Sequence, residues 1–218
     1  MPRTKRRTDA LRERGLEAAL GLLTEAGVAG LTAREVARRA GASVPAVYEV
    51  FGDKVGLIRE IFFEGFRMLG AALSATPVSG EPLTDLRRLA EAHRRFVVAH
   101  PVLAQVMFSQ PFAAFDPTTA EVEAGAEIRR LVMARVRDAV DAGHLVGDPT
   151  DIAHVFVSLI QGLAAAEASQ RLGRSRPSVQ RRWNLALDAF FRGLGPPAAP
   201  HQPPSTRPPS TSRRPART

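Results

Sequence analysis

The residues whose types and spacing point to a chemistry lie between Thr32 and Lys54, and that chemistry is docking rather than bond making. Thr32 stands three residues before Glu35. This is the spacing of a capping box, in which a hydroxyl and a carboxylate satisfy two amide donors that a helix start leaves open. Ser43 precedes Val44-Pro45, where a hydroxyl caps a helix and proline fits the first turn. Ala40-Gly41-Ala42 separates the two segments, and glycine permits the sharp turn between them. Two short helices joined in this way make a helix-turn-helix, a unit whose second helix enters the major groove of a duplex. Val36, Ala37 and Ala40 give the first helix a small apolar face for close approach. Val47, Val50 and Phe51 turn the second helix back onto its neighbours, which leaves Val44, Pro45, Ala46, Tyr48 and Glu49 facing outward or sideways.

Other chemistries lack their residues. There is no cysteine, so no disulfide framework, thiol nucleophile or thiolate metal site is available. His93, His100, His144 and His154 have no Cys, Asp or Glu at metal-ligand spacing, and Glu121, Glu123 and Glu127 read as a solvated helix face. No metal and no cofactor are expected. A Gly-rich phosphate loop, a Ser/His/Asp set and a paired-carboxylate arrangement are all missing, which argues against an enzyme. The formal net charge of +8 makes a polyanion a plausible partner, although Arg207, Arg213, Arg214 and Arg217 contribute to it from an acid-free tail. No apolar run approaches the roughly 20 residues that span a bilayer, and the basic N-terminus leads into no apolar segment, so a cytoplasmic protein without membrane contact is expected.

The elements that must position Thr32 to Lys54 are helical throughout. The spacing predicts nine helices, over about 8–26, 32–40, 44–51, 53–74, 82–99, 101–109, 118–142, 149–172 and 177–194, with Gly27 as a positive-φ stop for the first. The fold class is all-α. Residues 1–8 form a basic arm, 9–60 the helix-turn-helix domain and 61–194 a second helical domain. From Gly195 the chain holds eight of the 17 prolines and almost no large apolar residue, so 195–218 reads as a disordered basic tail.

Gly27, Leu31-Thr32, Glu35-Val36-Ala37, Ala40-Gly41-Ala42-Ser43, Val47-Tyr48, Phe51, Lys54 and Leu57 together resemble the TetR (tetracycline repressor) family, in order and spacing, over roughly the first 60 residues. The resemblance implies a nine-helix homodimer that binds operator DNA through its N-terminal domain and a small effector through its C-terminal one. At matching positions it makes Thr32, Ser43 and Lys54 phosphate contacts, counts Ala33 and Arg34 among the DNA-binding residues, has Tyr48 press on the motif, and has Val44, Pro45 and Ala46 read base edges. Glu49 departs from the basic, histidine or aromatic residue often found there, and its carboxylate repels phosphate unless it accepts from a cytosine amine. Arg3, Lys5, Arg6 and Arg7 are placed along the backbone or in an adjacent minor groove.

Beyond the fourth helix the resemblance weakens. Val155 to Leu163 looks like the tryptophan–histidine–glycine segment of one C-terminal subclass, with only the glycine kept and Gln161 in the histidine position. Ile152, Phe156, Leu159 and Leu163 on helix eight, with Val179, Trp183, Leu187 and Phe190 on helix nine, form stripes assigned to a dimer bundle. The alternative is that they cover the protomer's own core. Phe62, Phe66, Met68, Phe96, Met107, Phe108, Phe112 and Phe115 are candidates for an apolar effector cavity, with plain core as their alternative. The implied function is a repressor released by a largely apolar ligand. An activator, an enzyme using the helical cavity and a nonspecific DNA-compacting protein are the competing readings.

Overall fold

The computed structural model describes residues 3–108 and 119–197, with side chains over 8–108 and 125–197. Among the described residues there are nine helices and no strand. They are α1 (Arg3–Gly30), α2 (Ala33–Ala40), α3 (Val44–Phe51), α4 (Lys54–Ser74), α5 (Pro82–Ala99), α6 (Pro101–Phe108), α7 (Thr119–Asp141), α8 (Pro149–Ala168) and α9 (Arg176–Gly193). The tail beyond 197 and the 109–118 segment, which holds Phe112 and Phe115, lie outside the described residues.

Helix α1 begins at Arg3 rather than near Thr8, so the arm expected over 1–8 is helical from its third residue. Residues 3–14 contain neither glycine nor proline and are rich in arginine, which leaves nothing to stop a helix from running back toward the N-terminus. At the other end Gly27 takes the expected positive φ of 63°, but as a kink, and one further turn reaches Gly30. The buried face of α1 is Gly15, Ala19, Leu22 and Leu23. A Cβ at Gly15 would fall 2.7 Å from the Phe51 ring, so that glycine is what lets α3 lie against α1.

The C-terminal part is a bundle of longer helices. Leu57, Ile58, Ile61, Leu69 and Leu73 of α4 follow the three–four spacing of a buried face. Val132, Val136 and Ala139 do the same on α7, and α5 is buried along Leu86, Leu89, His93, Phe96 and Val97. In α8 the core stripe is Ile152, Phe156, Ile160 and Ala164. Helix α9 packs through Val179, Trp183, Leu187, Phe190 and Phe191, with the Phe156 and Phe190 rings 5.7 Å apart. One polar group crosses this packing. Arg94 of α5 donates to both carboxylate oxygens of Glu167 at 2.7 and 3.0 Å, and Trp183 Nε1 donates to the same carboxylate at 2.7 Å.

These burials correct the stripes assigned to a dimer. Ile152, Phe156, Val179, Trp183, Leu187 and Phe190 are at most 9% exposed within one protomer and cannot face a second copy. Leu159 and Leu163 are half-buried at the margin of the same core. Helix α8 also ends earlier than expected. Gln170 adopts a left-handed conformation with φ 58°, and the Arg171 amide turns back to the Ala166 carbonyl at 2.7 Å, closing the helix at Ala168. Pro149–Ala168 is long and apolar enough to cross a membrane by length and composition, contrary to the expectation that no run approaches this. One such helix is weak evidence of a span, and the Ile152, Phe156, Ile160 and Ala164 face of α8 is packed against other helices of the bundle.

Candidate nucleic-acid interface and ligand cleft

The helix-turn-helix is built by local hydrogen bonds. Thr32 is extended at φ −125° and its hydroxyl accepts from the Glu35 amide at 3.2 Å. The second half of the expected capping box is absent, because the Glu35 carboxylate turns outward to accept from Arg38 Nε at 3.1 and 3.0 Å. That contact holds Glu35 below the usual carboxylate range. Gly41, at φ 62° and ψ 41°, ends α2 in the left-handed region and sends its amide to the Ala37 carbonyl. Ser43 then caps α3 by accepting from the Ala46 amide at 3.3 Å, and Asp53 caps α4 by accepting from the Gly56 amide at 2.8 Å.

Three arginines fix this motif to the rest of the domain, and sequence spacing did not reveal their roles. Arg39 of α2 forms a two-point contact with Glu25 of α1 at 2.9 and 2.6 Å, which lowers the Glu25 pKa. Arg14 Nε donates to the Ala40 carbonyl at the end of α2, at 3.2 Å. Arg12 pairs with Glu60 of α4. Their partners lie 14 to 48 residues away, beyond the reach of any local pattern.

The expected DNA-side residues are all at least partly open to solvent where their side chains are described. Thr32, Arg34, Ser43, Pro45, Tyr48, Glu49 and Lys54 are exposed, and Ala33, Val44 and Ala46 are half-buried. Val47 and Phe51 point inward at 2% and 6% exposure and Val50 is half-buried, as the packing argument requires. Tyr48 is 51% exposed, so its ring is not spent on the core. Thr32, Ala33, Tyr48 and Lys54 meet around a shallow depression of about 200 Å³ where the starts of α2 and α4 converge on the end of α3. Arg34 and Lys54 have no ion-pair partner among the described residues, so their charges remain available to phosphate. The side chains of Arg3, Lys5, Arg6 and Arg7 lie outside the described residues.

In the C-terminal bundle a cleft of about 670 Å³ lies between α5–α6 and α8. That is the size of sites that hold drug-like ligands. Its walls include Val97, Pro101, Val102, Ala104, Gln105 and Phe108 from one side and Ser158, Gln161, Gly162 and Ala165 from the other. Of the expected cavity residues among the described ones, Phe108 alone lines it. Phe96 and Met107 are core, at 6% and 4% exposure, while Phe62, Phe66 and Met68 are half-buried. Phe62, Phe66 and Phe108 form a chain of rings, with centroids 4.8 and 6.1 Å apart. Ser158, Gln161 and Ser169, polar groups on the α8 side, are cleft residues that an apolar-cavity reading passes over. No group of three His, Cys, Asp or Glu able to hold a metal occurs among the described residues.

Residues 16–61 match the family model for bacterial regulatory proteins of the tetR family, and residues 86–190 match a tetracycline repressor-like C-terminal domain. Among solved structures, a protein with unknown function from Rhodococcus sp. RHA1 is 32% identical, with TM-score 0.75, covering 85% of this chain and 96% of its own. The TetR family transcriptional regulator PfmR from Thermus thermophilus is 24% identical, with TM-score 0.61, over 84% and 100%. A TetR variant from Acinetobacter baumannii AYE in complex with minocycline is 19% identical, with TM-score 0.56, over 82% and 93%. No curated protein matches the chain. A capped, exposed recognition helix braced on α1 and α4, the two matched models and the shared nine-helix fold agree: the chain belongs to the TetR family and is a DNA-binding transcriptional regulator, not an enzyme.

Proposed function

We propose that this regulator is a cytoplasmic homodimeric repressor, released from its operator when a small, largely apolar ligand occupies the cleft beside α8. The observation that carries the DNA half is the exposed front of α3, with Ser43, Pro45, Tyr48 and Glu49 free while Val47 and Phe51 anchor the helix. The ligand half is supported by the cleft's size and its mainly apolar lining; the related TetR fold holds minocycline. Because twofold DNA half-sites need a twofold protein, a second copy is expected on the outward face of α8 and α9. There Val155 and Leu185 are 55% and 64% exposed. That face and the cleft share helix α8, so a ligand in the cleft acts on an element of the expected dimer contact.

The test is a titration of labelled duplex from the regions flanking the gene, against unrelated duplex of equal length, at about 50 and 200 mM salt. Sequence-specific binding that weakens steeply with salt is expected. Lys54→Ala lowers the salt slope by about one per protomer, and Tyr48→Ala weakens binding about tenfold, the scale of one lost hydrogen bond and its ring contact. Full affinity in both folded variants, or equal affinity for every duplex, refutes the assignment.

A further inference from the structure

His93 is the polar side chain that the fold leaves unexplained. It lies on α5 at 3% exposure, and neither ring nitrogen has a hydrogen-bond partner. Native structures seldom leave such atoms unpaired, because burial removes the hydrogen bonds that water would supply. Metal ligation does not account for it among the described residues. A neighbouring charge does not either: burial alone lowers its pKa, to about 4. The ring is therefore neutral near pH 7, with one nitrogen a donor and the other an acceptor.

Its surroundings point to a ligand. The Phe108 ring lies 5.7 Å from His93 at 36°, and Phe108 is 37% exposed and lines the cleft. Val97, one helical turn along the same face of α5, lines it too. Phe108 thus borders both the histidine and the open space. Among the described residues the cleft lining contains no Lys, Arg, Asp or Glu, and Arg94, next in sequence to His93, is committed to Glu167.

We infer that His93 is the polar anchor of the ligand site, and that the ligand is an uncharged organic molecule presenting a hydroxyl or carbonyl to the imidazole, with its apolar body among Val97, Val102 and a displaced Phe108. The inference rests on the ligand-released reading and narrows its chemistry. A neutral imidazole accepts from a hydroxyl or donates to a carbonyl, whereas a carboxylate would enter a cleft with no cation to meet it.

The test uses 1-naphthol and naphthalene, which differ by one hydroxyl, in equilibrium dialysis against the full-length protein. The native protein binds 1-naphthol about tenfold more tightly than naphthalene, the scale of one hydrogen bond in a buried site. His93→Phe abolishes that preference while keeping naphthalene binding, and His93→Gln keeps part of it. Without relying on a variant's affinity, the imidazole 15N resonances of His93 shift with 1-naphthol and not with naphthalene. An unchanged preference in His93→Phe, resonances that stay in place, or no binding of 1-naphthol by the native protein overturns the anchor. Operator titration is run in parallel. A native protein that binds its operator but fails the naphthol test loses the anchor alone, whereas one that binds no duplex loses the regulator reading on which the anchor rests.

Discussion

Protonation is the sharpest perturbation of His93, because the group is buried, neutral and influenced by no charge. Its pKa falls from 6.5 to about 4 by desolvation. Above pH 6.5 the ring is neutral whether the chain is folded or not, and the group adds no pH dependence. Between pH 6.5 and 4 the unfolded chain binds a proton that the folded one refuses, so stability falls as pH falls; below pH 4 the difference levels off. From pH 7 to pH 4.5 these two pKa values correspond to a loss of about 2.5 kcal/mol assignable to this one residue. Urea denaturation of the native protein and of His93→Phe, at matched concentration and at both pH values, isolates it. Asp85, Asp148, Glu25 and Glu35 are also shifted, all downward, by hydrogen bonds or ion pairs. They are common to both proteins and cancel in the difference. The native protein is expected to lose about 2.5 kcal/mol more than the variant. At pH 7 the variant is expected to be the more stable by about 1–3 kcal/mol, since an unpaired buried polar group has been removed. Equal losses in the two proteins, or a difference that opens above pH 7, refute the account of His93 as a ring buried without a partner.

Gly15→Val places a branched side chain where a Cβ already meets the Phe51 ring at 2.7 Å. It is expected to destabilise the N-terminal domain by about 1–3 kcal/mol through overpacking; thermal denaturation measures this, and Phe51→Leu in the same chain is expected to restore part of it. Glu49→Gln removes an exposed carboxylate from the recognition front. Filter binding is expected to show a several-fold gain on unrelated duplex, where the charge only repels phosphate, and a smaller gain on the operator. Leu185→Asp charges a residue 64% exposed on α9, and sedimentation is expected to show a lighter species with unchanged helicity. An unaltered sedimentation coefficient removes that face from the dimer contact.

What the sequence disclosed follows the reach of each interaction. The caps at Thr32, Ser43 and Asp53 bond to amides three residues on, so a short window contains the whole cause, and the turn at Gly41 needs only a residue that tolerates φ 62°. The same window misread Glu35, whose carboxylate had two destinations within reach and took Arg38. The roles of Arg12, Arg14 and Arg39 lie outside any such window, because their partners become neighbours only when the chain folds. Helix α8 shows a different limit. Nearly every turn carries an apolar residue, so a stripe through Ile152, Phe156, Leu159 and Leu163 is as regular as the one through Ile152, Phe156, Ile160 and Ala164. Packing against α5 and α9 decides between them, and it places the stripe inside the protomer. Large apolar residues were likewise poor guides to the cleft, because the fold used Phe96 and Met107 as core and lined the space with valines, small residues and two glutamines.

Helix α4 runs from the DNA side to a ring that borders the cleft. Its first residue, Lys54, stands on the DNA front, Glu60 takes the Arg12 brace from α1, and Phe66 meets the Phe108 ring 6.1 Å away. Lys54 and Phe66 are twelve residues apart on one uninterrupted helix, about 18 Å along its axis. Under the proposed ligand release, a ligand that displaces Phe108 would press on the rod whose far end seats the recognition helix, and a tilt of that rod would change how two such helices are spaced. That proposal requires differential contact: a molecule that fills the cleft without moving Phe108 would leave the hold on DNA unchanged, however tightly it binds.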